Sequence, residues 1–194
     1  MLVSRPLTAT KTILFLIIGI TTVVSVGMVV LGHLVDKKIE SVMILHDFFT
    51  AFAIMSGAGV IGVLVFSSQR HHDAVNVIRM LSIAAAVSVF IILITGTIGY
   101  IEYRVSDPDS AKSKIKSTFP YAHSPMFETM EYMGLLGTMW AGLIAYLAWH
   151  YKEQMFTNPA IKNMMVALIS LAIMYALFIS LMGIVPTKIA SVQG

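Results

Sequence analysis

Three histidines, His33, His46 and His123, and four carboxylates, Asp47, Glu102, Glu128 and Glu131, carry most of the chemistry this sequence offers. Neutral imidazole and carboxylate together are good ligands for zinc, copper(II) or non-haem iron. Two imidazoles from different helices at equal depth also ligate haem iron from both sides. Glu128 and Glu131 are three residues apart and share one helix face. The Glu-x-x-His spacing of carboxylate-bridged di-iron bundles is absent, which argues against a di-metal centre. The chain has no cysteine, so disulfides, thiolate metal sites, iron–sulfur clusters and cysteine nucleophiles are excluded. No Ser-His-Asp or Ser-Lys arrangement, phosphate-cradling glycine loop or dinucleotide fingerprint stands out, and no catalytic constellation is complete.

The elements that must position these residues are membrane helices. Of 194 residues, 57% are hydrophobic and only 12% charged, with a mean hydropathy of +0.84. Soluble domains carry roughly 25% charged residues, so lipid must replace water around most of this chain. Spanning a hydrocarbon core takes about 20 apolar residues. Five runs qualify, at about 12–35, 42–67, 77–101, 126–151 and 160–185. They lack the period-two alternation of barrel strands, so helices must satisfy their backbone polar groups. The fold class expected is an all-α integral membrane protein, a single domain over 1–194 with five transmembrane helices. The first run is too long for a signal-peptide core and lacks an A-x-A-like cleavage site, so it reads as a retained helix.

Short polar connections separate the runs: Asp36 to Ser41, Gln69 to Asp73, and Thr157-Asn158-Pro159, where Thr157 or Asn158 supplies an N-cap. The longest, Glu102 to Ser124, carries Lys112, Lys114 and Lys116 and is expected to lie in the interface or cover one end of the bundle. At its end, Ser124-Pro125 reads as N-cap and first residue of the fourth helix, with Glu128 in the first turn. Lysine and arginine are split six against seven between the two faces, so the positive-inside rule does not choose an orientation. The short N-terminal segment favours a cytoplasmic N-terminus in the cell membrane. The net charge of +3 is dispersed without a basic block, which disfavours nucleic acid as a partner.

Helix parity brings the ends of helices one and three and the starts of two and four to one membrane face. His33, His46, Asp47, Glu102, His123, Glu128 and Glu131 all fall there. His33 and His46 flank the first hairpin at similar depth and are expected to meet if both face inward. His123 falls in the long connection. Glu131 lies about two turns into helix four, where a carboxylate requires a partner or water. Thr95, Gly99 and Glu102 form a polar-to-small stripe on helix three that ends at the same face, beside Tyr100 and Tyr103. The small-residue pairs Ala58-x-x-x-Gly62 and Ala84-x-x-x-Ser88 are helix-packing faces, and Gly57, Gly59 and Gly62 would leave room for a flat cofactor.

The opposite face is blander. His71-His72 reads as a solvated turn, and His150, beside Trp149 and Tyr151, as the end of an aromatic belt. A second haem there would complete a transmembrane electron path. The HxxHH boxes of membrane desaturases are missing. The fourteen methionines, several along helices four and five, read as adaptable packing rather than copper(I) ligands.

The expected function is therefore a small membrane protein that binds haem b or a zinc, copper or iron ion at one bundle end. Candidate ligands are His33, His46 and His123, with Asp47, Glu102, Glu128 and Glu131 as further ligands or outer acceptors. The role is electron transfer or support of a membrane oxidoreductase. The alternative is a non-catalytic accessory or assembly subunit, docked through the small-residue faces and the tail Pro186 to Ser191. Either way, the partners are the lipid bilayer and further membrane subunits or copies of this chain. A proton-coupled carrier using Glu131 fits less well, because no inverted repeat or broken helix is visible.

Overall fold

A computed structural model describes residues 6–34, 38–67, 71–105 and 107–189, with side chains described for 19–34, 39–67, 73–105 and 107–185. The expected features at Asp36, Lys37, Gln69, Arg70, Ala190 and Ser191 lie outside the described residues, as do the side chains of His71 and His72. All regular structure among the described residues is helical: α1 (Pro6–Leu34), α2 (Lys38–Phe66), α3 (His71–Tyr103), α4 (Ala111–Thr118), a π-helical segment (Ala122–Phe127), α5 (Glu128–Tyr151), α6 (Gln154–Thr157) and α7 (Pro159–Ile189).

Among the described residues, four helices are long and apolar enough to cross a membrane: Ile39–Phe66, Asp73–Tyr103, Ala122–Tyr151 and Pro159–Val185, of 28, 31, 30 and 27 residues. Each exceeds the roughly 20 residues a bilayer demands. The extra turns extend the apolar runs at their polar ends, which brings Tyr103 and His123 into helical backbone. The part of α1 with described side chains, Gly19–Leu34, is a shorter, predominantly apolar helix.

α2 and α3 form the most extensive helix pair; α5 packs on α3, α7 packs against α2 and α5, and α1 lies mainly along α2. Lipid tails are as apolar as leucine, so close fit rather than water exclusion holds such helices together. The fit is tightest near the α5–α7 turn, where Val60, Leu64, Val75, Ile78, Ile144, Ala148, Met155, Met165 and Ile169 form one buried cluster. The small-residue face on α2 contributes, but through different residues from the expected pair. A methyl carbon at Gly57 would sit 3.3 Å from Ile173 and one at Gly59 3.1 Å from Leu81. Those side chains take up the space beside both glycines. Ala58 is exposed, and Gly62 has nothing within 4 Å of where a side chain would begin.

Two connections clarify the chain's punctuation. Asn158 caps α7: its Oδ1 accepts the Ala160 N–H at 3.0 Å, and Pro159 occupies the first position, where no N–H is needed. Ser124-Pro125, by contrast, does not start a helix. The chain is already helical at Ala122, and Pro125 lies inside the π-helical segment, where the Glu128 N–H donates to the His123 carbonyl five residues back. Proline lacks an N–H and crowds the carbonyl four residues earlier; the wider turn lets the helix run on past it. The long connection also contains a helix of its own. Ser110 caps α4 by accepting the Ser113 N–H at 3.3 Å, and Ile115, 1% exposed, anchors it against Tyr103 and Ala122. This connection covers the bundle end.

Candidate functional site

The end of α3 and the start of α5 hold a continuous polar and aromatic network. The π-helical turn swings His123 inward, so the ring expected in a loop is only 6% exposed. Its Nδ1 is 2.7 Å from the hydroxyl of Tyr103, itself 1% exposed. Its Nε2 lies 3.9 Å from Glu128 Oε1, beyond hydrogen-bond reach. Ser124 donates its hydroxyl proton to the other oxygen of Glu128 at 3.1 Å. Phe127 stacks on Tyr103 with ring centroids 4.0 Å apart and reaches Tyr100 at 5.8 Å.

Glu131, the carboxylate whose depth requires a partner, has two. Tyr100 donates its hydroxyl proton to Oε2, and Arg104 approaches the same oxygen at 3.4 Å. The Arg104 guanidinium also lies 4.9 Å above the Tyr100 ring. Tyr100 and Arg104 are one turn apart on α3, so both reach one point on α5. In a low-dielectric surrounding such satisfied hydrogen bonds are strong, and orphaned groups are costly.

His46 sits deeper, between α2 and α3. Its Nδ1 is 3.1 Å from Thr95 Oγ1, and its ring packs on Gly96, where a methyl carbon would come within 3.1 Å of Cε1. Thr95 donates its single proton back to the Ile91 carbonyl at 2.9 Å, so towards His46 it accepts. That arrangement favours the His46 tautomer with its proton on Nδ1 and the lone pair on Nε2. The same bookkeeping applies to His33, whose Nδ1 lies 3.1 Å from the Val29 carbonyl; a carbonyl only accepts.

The seven expected site residues thus separate. His123, Glu128 and Glu131 join one network with Tyr100, Tyr103 and Arg104. His46 belongs to an inner pair with Thr95. His33 is exposed and bonded within its own helix, so the two hairpin imidazoles take separate partners. Asp47 and Glu102 are exposed. Among the described residues no three of His, Asp or Glu come together as a metal-holding group. Sequence reasoning missed the roles of Arg104 and Ser124 in this network. For Arg104 the available signal was its spacing of four from Tyr100 at the end of a span.

At the other face, His150 is exposed and packs its ring on Tyr146 and Tyr151, with centroids 5.7 and 5.0 Å away. Arg79 covers the Trp149 ring at 4.7 Å, an arrangement suited to the membrane interface. No protein-family model, curated protein or solved structure gives a significant match to the chain.

Proposed function

We propose that this chain is a small redox-associated protein of the cell membrane, with α1 as a fifth span and a cytoplasmic N-terminus. His46 and His123, with His33 as a further donor, would offer ring nitrogens to haem b or to a zinc, copper or iron ion. The role is electron transfer within a membrane oxidoreductase.

One observation carries this reading. The Thr95 hydroxyl, with its own proton given to the Ile91 carbonyl, is placed to accept from Nδ1 of His46, which favours the tautomer with a lone pair on Nε2. Ligating histidines take that form, donating the other ring N–H to a fixed acceptor. His33 shares the tautomer, and Tyr103 holds the His123 ring through Nδ1. Haem b is the better supported form, because one or two imidazoles suffice for it. A zinc site takes three or more protein donors, and the described residues do not assemble that number. The test is an absorption spectrum of the purified, detergent-solubilised protein together with elemental analysis. A Soret band supports haem and bound metal without one supports a non-haem ion; the absence of both overturns the reading.

A second reading, an accessory subunit of a larger complex, is favoured by the α2 face where Ala58 is exposed and a side chain at Gly62 would begin in open space. Small residues on such a face let another helix approach closely. Purification in mild detergent followed by mass spectrometry decides it: stoichiometric partner chains support this role, and a lone chain contradicts it.

A further inference from the structure

Beyond the redox reading, we propose that the cleft beneath α4 binds a phosphate ester, and specifically the headgroup of an anionic phospholipid. The cleft has a volume of about 390 Å³ and is lined by Val105, Asp107, Pro108, Lys112, Ser113 and Lys116. The way α4 is held creates it. Ile115 is buried against Tyr103 and Ala122, which fixes the rotation of the helix. Lys112 and Lys116 are four residues apart and therefore share a face, here the face that lines the cleft, while Lys114 is exposed on another.

The loop that walls this open cleft is held by its own hydrogen bonds. The Asp107 carbonyl accepts the Ser110 N–H at 3.0 Å and the Ser113 hydroxyl at 2.9 Å. Its carboxylate accepts the Asp109 N–H at 2.8 Å, so it is engaged in shaping the rim. Neither Lys112 nor Lys116 makes an ion pair among the described residues, and Lys112 is half-buried. Two lysines and one aspartate line the space, which gives it a net positive charge that attracts an anion.

The location selects the anion. The α3 span ends at Tyr103, so a cleft walled by Val105 and Pro108 opens at the level of lipid headgroups. Phosphate is the abundant anion there, and each lysine near such a surface adds measurably to its attraction. The ligand's acyl chains would run down the outside of the bundle, and its phosphate would lie between the two ammonium groups.

The test uses the full-length protein in mixed micelles of phosphatidylglycerol and phosphatidylcholine, with retained lipid counted by native mass spectrometry. The wild type is expected to enrich phosphatidylglycerol over its share of the mixture. Lys112→Gln/Lys116→Gln is expected to lose about tenfold in that preference, and Lys114→Gln, with a single charge removed outside the cleft, to keep it. A parallel titration of the wild type in phosphatidylcholine nanodiscs with glycerol 3-phosphate, read by thermal unfolding, separates the sources. Stabilisation there without lipid preference keeps the phosphate site but assigns it to a soluble ester. If the wild type retains both lipids in proportion to supply and ignores the soluble ester, the proposal fails whatever the variants do. An equal loss in Lys114→Gln reduces the effect to overall charge and also overturns it.

Discussion

The two ends of this bundle are held by different physics. At the α5–α7 turn, nine buried apolar residues from α2, α3, α5, α6 and α7 interlock without a polar side chain among them. At the opposite end, Tyr103, Ile115 and Ala122 form a small buried group, and directional bonds from Tyr103 to His123 and from Tyr100 and Arg104 to Glu131 do the joining. The four buried polar side-chain atoms without partners, among the described residues, belong to Arg79, Ser82, Thr138 and Trp140; none is in that network. A dense apolar cluster fixes helix positions but has no chemistry to offer. A bonded polar network holds titratable groups in place where an unpaired one would be costly. One end of the fold is thus held by apolar packing and the other by polar and aromatic contacts.

Substitutions can break or sharpen this contrast. The largest effect is expected at the apolar end: Leu64→Ala, at a side chain 0% exposed, should cost about 2–5 kcal/mol through the cavity it leaves. Reversible unfolding in detergent measures it, and a negligible loss would mean that apolar packing does not hold this end. Next comes Tyr103→Phe, which keeps the stacking on Phe127 but leaves Nδ1 of His123 without its partner. It should cost about 1–3 kcal/mol, with no comparable loss if water replaces the hydroxyl.

Lys152 ends α5 with φ 49° and ψ −123°, a backbone region that glycine adopts freely. Lys152→Gly should therefore raise stability by about 1 kcal/mol, seen as a higher unfolding midpoint. The smallest effect belongs to Glu131→Gln. Its ion pair with Arg104 is long, at 3.4 Å, and the amide oxygen still accepts from Tyr100, so the change should stay below about 1 kcal/mol. A larger loss would show that the Glu131 pair is shielded from solvent.

How far the sequence reveals all this depends on the scale of the signal. The spans are legible because twenty-odd consecutive apolar residues have few alternatives. The need of Glu131 for company is legible from its depth alone. Its partners are not, since Tyr100 and Arg104 meet it only through the register of α3 against α5. The burial of His123 was hidden by Pro125, which reads as a helix start, whereas a π-helical turn carries the chain past it. α4 escaped notice because eight residues with alternating lysines show no membrane-length pattern. On α2, the small-xxx-small motif marked the right stretch and the wrong residues: Gly57 and Gly59 make the close contacts, and rotation about a helix axis is invisible in spacing.

The functional reading stands on where the imidazole protons reside. Solid-state NMR of nitrogen-labelled histidine in the bilayer-reconstituted, cofactor-free protein reads this directly. His46 should show a protonated Nδ1 and a bare Nε2, and Thr95→Val should abolish that preference. A His46 ring protonated on Nε2 in the wild type would remove the lone pair on which ligation depends.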